Sequence, residues 1–161
     1  MKQLDKKIVA YHEAGHAVVG YRFGHRFADL SIFPIKDKEG FCQFFSGLNN
    51  PKHAALVLLA GHSAEIHLCQ NGLKKPSRSD HRKICQLTGS MPTAEFKKLL
   101  KESDDLVAAN WHQIQAVAEG LLEAGTIKGG MFAEIIEAVD NGENWRQLPA
   151  WISHLSSVRG G

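Results

Sequence analysis

The chain has 161 residues, of which 43% are hydrophobic and 22% charged, and 19 Lys and Arg stand against 17 Asp and Glu. That length supports one well-formed hydrophobic core, and the ordinary composition excludes a disordered or fibrous chain. A net charge of only +2 excludes the strongly basic surface that drives binding to nucleic acid or anionic lipid.

In chain order, the first element is a helix over residues 5–23, where Ile8, His12, His16, Val19 and Phe23 recur on or near one face. Gly15 and Gly20 each weaken this helix by about 1 kcal/mol relative to Ala, so they call for a packing reason, most simply the close approach of another backbone. Residues 28–35 and 41–45 are short, rich in β-branched and aromatic side chains, and separated by a charged, Gly-ended loop over 36–40; they read as a β-hairpin. Pro34 lacks an N–H, so its strand is expected at an edge or ending there.

Asn50 followed by Pro51 reads as a helix cap and first position, and the helix runs to Gln70, closing at Asn71-Gly72. Its segment AALVLLA is apolar all round, which implies burial at the centre of the domain. A helix capped by Ser79 is expected to about Leu87, followed by helices over 93–101 and 103–124, the latter stopped by Gly125, and over 130–139. The segment from Trp145 on is polar with scattered Trp, Leu and Ile residues that dock on the body. The expected architecture is therefore a single, mainly α (α+β) domain, its core over about 5–140, with an HExxH helix and a small β-hairpin.

Cys42, Cys69 and Cys85 are odd in number and form no CxxC pair, which argues against a disulfide framework and a thiolate metal site and for a reducing, cytoplasmic setting. The longest apolar run, over 54–60, falls far short of the ~20 residues that cross a bilayer, so no membrane insertion is expected. The N-terminal apolar stretch, broken by His12 and Glu13, is a poor signal peptide.

The chemistry concentrates in His12-Glu13-Ala14-Gly15-His16. Helical residues four apart share a face, with Cβ atoms about 5–6 Å apart, so both imidazoles can reach one Zn2+ ion at about 2.0–2.1 Å. Glu13 lies about 100° further round, placed to act as general base on a zinc-activated water. Such a set performs peptide-bond hydrolysis. A catalytic zinc usually takes three protein ligands, and Val19 and Arg22 stand where HExxHxxGxxH requires Gly and His. The third ligand must come from further along. Asp80, His81, Glu65, His62 and His67 are the candidates by chemistry. Glu65 would also suit a supporting role, orienting a ligand imidazole through its other N–H.

YHEAGHAVVGY resembles the zinc-binding helix of the FtsH family of ATP-dependent zinc metalloproteases. LSIFPIKDKEGFCQF is similar to that family's hairpin, LVLLAGHSAEIHL to its LAGRAAEEL-like helix, and SDHRKI stands where the family carries its aspartate ligand. The resemblance implies His12, His16 and Asp80 as metal ligands and Glu13 as base. It also implies the hairpin edge around Ile32, Phe33, Gly40 and Phe41 as a rail for an unfolded or extended polypeptide substrate. The family's ATPase module and membrane anchor have no counterpart here: no GxxxxGK[ST] loop occurs. The expectation is a free-standing, ATP-independent zinc metalloendopeptidase that works alone, as a homo-oligomer, or with a separate ATPase. The alternative is a non-catalytic peptide-binding module that keeps the fold and a zinc site but has no use for Glu13.

Overall fold

The computed structural model describes residues 3–35, 39–44, 48–69 and 91–161, with isolated positions 82, 85, 86 and 89 between them. Two helices form the centre, α1 (Gln3–Arg22) and α2 (Pro51–Cys69), and they make the most extensive helix pair in the molecule. Positions 9–20 of α1 are all buried, so this helix is enclosed on every side rather than on the one face its spacing suggests. Two glycines let it be enclosed. A Cβ on Gly15 would lie 2.6 Å from the carbonyl oxygen of Ala60 on α2, and one on Gly20 would strike the ring of Phe44 at 2.6 Å.

Asn50 caps α2 as its sequence implies, its Oδ1 accepting from the N–H groups of Lys52 and His53 at 3.0 and 3.1 Å. The expected cap at Asn71-Gly72 lies outside the described residues, as does nearly all of the helix expected over 79–87.

The hairpin is present as β1 (Phe27–Ser31) and β2 (Phe41–Phe44), antiparallel with Ser31 opposite Phe41 and Phe27 opposite Phe44. A third strand, β3 (Thr126–Lys128), pairs antiparallel with β1 and gives the order β2-β1-β3. The strand before Pro34 is thus the centre of the sheet and not an edge. It ends before the proline because the Ser31 hydroxyl accepts the Phe33 N–H at 3.1 Å and turns the chain. A three-residue strand carries too little alternation to be seen in TIK.

Beyond the sheet come α3 (Thr93–Ala109), α4 (Trp111–Ala124) and α5 (Gly129–Asp140). The helix break expected near residue 102 falls at Asn110 instead. Ser103 is buried and its hydroxyl meets that of Ser63 on α2 at 3.1 Å, so α3 runs straight through it. The Asn110 amide donates to the Leu106 carbonyl at 2.9 Å, and its oxygen accepts from Arg22 at 2.8 Å, which draws the chain out of the helix there. Gly125, at φ +78°, ends α4 in a conformation that side-chain-bearing residues avoid.

The C-terminal segment is part of the core. A 3-10 turn (Trp145–Gln147) and α6 (Pro149–Arg159) bury Trp145 and Trp151 edge to face, ring centroids 4.9 Å apart. Arg146 pins the turn to α4 through Glu119 and Glu123, each at 2.7 Å. Mainly α with a small antiparallel sheet is the architecture observed.

Candidate metal centre

Burying His12, Glu13 and His16 in the middle of an enclosed helix demands partners for each polar group. The partners come from α2, which supplies Val57, Gly61 and Glu65 at intervals of four residues, one stripe facing another. His16 Nδ1 lies 2.7 Å from the Val57 carbonyl oxygen. A carbonyl only accepts, so this nitrogen carries the proton. His12 Nδ1 is bonded to the Glu65 carboxylate, which as an anion likewise accepts and puts the proton on Nδ1.

With both Nδ1 atoms donating, a neutral ring presents its Nε2 lone pair. The two Nε2 atoms stand 2.9 Å apart, with the rings nearly perpendicular at 88°. Two lone pairs so placed repel unless a cation lies between them, either a proton or a metal ion. Two nitrogens bound to one tetrahedral zinc would be roughly 3.3 Å apart, so this pair needs to open by only a few tenths of an ångström. The donor set therefore fits a zinc-sized ion.

Gly61 makes the arrangement possible. A Cβ there would stand 2.5 Å from His16 Cε1 and 2.9 Å from His12 Cε1, so any side chain would displace both imidazoles. Neither Gly61 nor the Val57 carbonyl was singled out in the sequence. The available signal was a costly glycine directly after the apolar run AALVLLA, four residues before Glu65.

Glu13 is buried beneath the hairpin. A Cβ on Gly40 would lie 3.1 Å from Glu13 Cγ and 2.8 Å from the Ser31 carbonyl, so the glycine lets the end of the hairpin rest on the carboxylate's stem. Cys42, the next inward residue on β2, has its thiol held well above the ordinary thiol range by burial and then by the Glu13 charge. It is therefore a neutral neighbour of the carboxylate.

The other expected site residues divide clearly. Asp80 and His81 lie outside the described residues. Glu65 serves His12 from behind instead of joining the Nε2 side, and no group of three His, Cys, Asp or Glu able to hold a metal occurs among the described residues. His67 lies against the Trp111 ring, centroids 4.2 Å apart, and His62 is half-buried on α2. Of the expected substrate rail, Gly40 is buried, Phe41 half-buried, Phe33 exposed, and Ile32 is buried with its N–H donated to Gly125 at 3.1 Å. Since β3 occupies the far side of β1, the hairpin edge open among the described residues is that of β2, and the expectation around Ile32 shifts there. Among the described residues no helix is long and apolar enough to cross a membrane. No protein-family model matches the chain, and no curated protein is significantly similar to it.

Proposed function

We propose that this protein is a zinc-dependent metalloendopeptidase acting on unfolded or extended polypeptides, with His12 and His16 as metal ligands, Asp80 as the third, and Glu13 as general base. The observation that carries the reading is the pair of imidazoles turned Nε2 to Nε2 while Glu65 and Val57 hold both Nδ1 protons. Both rings turn Nε2 towards one point from adjacent turns of one helix, which is the placement two imidazole ligands of a single metal ion require. A zinc ion bound there supplies Lewis acidity to a water molecule and to the scissile carbonyl.

The protein's own groups supply the rest. Glu13 is buried one residue along the helix from His12, placed for its carboxylate to take the proton of the attacking water. It can then return that proton to the departing amine. The free edge of β2, ending at Gly40 above Glu13, offers main-chain groups that would hold an extended peptide beside the carboxylate. Its three free cysteines suit a reducing compartment such as the cytoplasm.

The test is elemental analysis of purified protein together with Glu13→Gln. About one zinc per chain is expected in both forms, with hydrolysis of unstructured peptides only in the parent. Zinc-free parent protein, or equal hydrolysis by both forms, would overturn the assignment.

A further inference from the structure

We propose that Gly40 is a positioning residue for the Glu13 carboxylate: having no side chain, it lets the end of the hairpin clamp the stem of the general base, while the metal ligands are set separately by α2. The proposal rests on the peptidase reading above and assigns the part of the fold that aims its base.

Gly40 is buried and stands directly before β2, whose first residue, Phe41, pairs with Ser31 of β1. It fills a slot with three walls. A Cβ there would lie 2.7 Å from Val9 Cγ1, 2.8 Å from the Ser31 carbonyl oxygen and 3.1 Å from Glu13 Cγ. Val9 and Glu13 are four residues apart on α1, so they flank the slot from one helix face. The strand wall is firmly held. Ser31 pairs with Thr126 of β3, its hydroxyl meets Thr126 Oγ1 at 3.1 Å, and the next N–H, that of Ile32, is donated to the Gly125 carbonyl at 3.1 Å. A side chain at position 40 must therefore lift the hairpin end off α1 or push Val9 and Glu13 aside, because a central strand bonded on both edges yields least.

Pushing Glu13 alters chemistry as well as packing. A helical glutamate has two usual χ1 settings, and χ1 fixes where Cγ stands, so a contact at Cγ bears on the setting that aims the carboxylate. A displacement of about 1 Å in such a group costs on the order of 100-fold in rate. The imidazoles answer to different contacts, those of Glu65, Val57 and Gly61 on α2. Base and ligands are thus aimed by separate elements, and a change at Gly40 reaches the first without the second.

Steady-state hydrolysis of an unstructured peptide by the zinc-loaded parent, Gly40→Ala and Gly20→Ala tests this, with zinc content and folded fraction measured for each. Gly20→Ala is the packing control: its Cβ strikes the Phe44 ring at 2.6 Å, in the same contact between α1 and β2 but about two turns from Glu13. Gly40→Ala should keep its zinc and lose kcat about 100-fold with KM changed less than about threefold, the split expected of an interaction made in the transition state. Gly20→Ala should melt below the parent and keep kcat, per folded molecule, within about twofold. Val9→Ala/Gly40→Ala removes the Val9 wall and leaves the contact with Glu13, so it carries the same expectation as Gly40→Ala where the single variant folds poorly. A kcat near the parent's in the Gly40 variants, an equal kcat loss in Gly20→Ala, or loss of zinc from the Gly40 variants overturns the positioning role and leaves the peptidase reading standing. A zinc-loaded parent that cuts nothing overturns both.

Discussion

The Glu65 carboxylate on α2 accepts a hydrogen bond from Nδ1 of His12 on α1, fifty-three positions earlier in the chain. Through it α2 sets which nitrogen of His12 faces the candidate metal position. Glu65→Gln keeps an acceptor oxygen and loses the charge, and is expected to lower zinc affinity about tenfold. Glu65→Ala, which removes the acceptor, should lower it about 100-fold and cost about 1–3 kcal/mol of stability by leaving a buried N–H unsatisfied. Chelator competition and thermal melts give both quantities; affinities equal to the parent's would show that Glu65 does not support the ligand.

Gly61→Ala separates packing around the metal position from packing of the helices. Its new Cβ meets both imidazoles, so zinc affinity should fall on the order of 100-fold, with about 1–3 kcal/mol of overpacking cost. Gly15→Ala presses instead on the α2 backbone at Ala60. It should destabilise at least as much, because backbone yields less than a side chain. Zinc content measured beside melting temperature distinguishes them, and full zinc binding by Gly61→Ala would contradict the geometry.

The C-terminal helix is expected to be indispensable to the fold. Trp151 is 1% exposed and packs against Trp145 and Gly120, so Trp151→Ala should cost about 3–5 kcal/mol. Trp151→Phe should cost clearly less: among the described residues the indole N–H has no hydrogen-bond partner, so only volume is lost. Urea unfolding of the two variants checks the order.

Arg22 closes the C-terminal end of α1 by gripping both Asp140 oxygens at 2.8 and 3.0 Å. The hydrogen bond from Arg22 holds the Asp140 carboxyl below the ordinary carboxylate range. A depressed folded-state value means the pair stabilises above the unfolded-state value near 3.9 and that this contribution is lost as pH falls through the folded-state value. Because the Asp140 side chain is 36% exposed, solvent screening limits the effect to under about 1 kcal/mol. Asp140→Asn should therefore melt slightly below the parent at pH 7 and together with it near pH 2; a gap that widens in acid would reverse the sign.

Much of this was legible in the chain because it depends on local chemistry. HEAGH places two imidazoles four residues apart on any helix. Asn50-Pro51 starts α2 through groups within three residues of one another, and Gly125 stops α4 by its own backbone freedom. What the sequence could not convey depends on residues distant in the chain. The partnering of Val57, Gly61 and Glu65 with His12 and His16 exists only because α1 and α2 pack closely enough at Gly15 and Ala60 for the two stripes to meet. The sealing of β1 by β3 depends on Gly125 turning the chain back towards Ser31, nearly a hundred residues after it. Local spacing thus determined which side chains can do chemistry, and tertiary packing decided which nitrogens point inward and which strand edge stays open, because those depend on contacts that no short stretch of sequence contains.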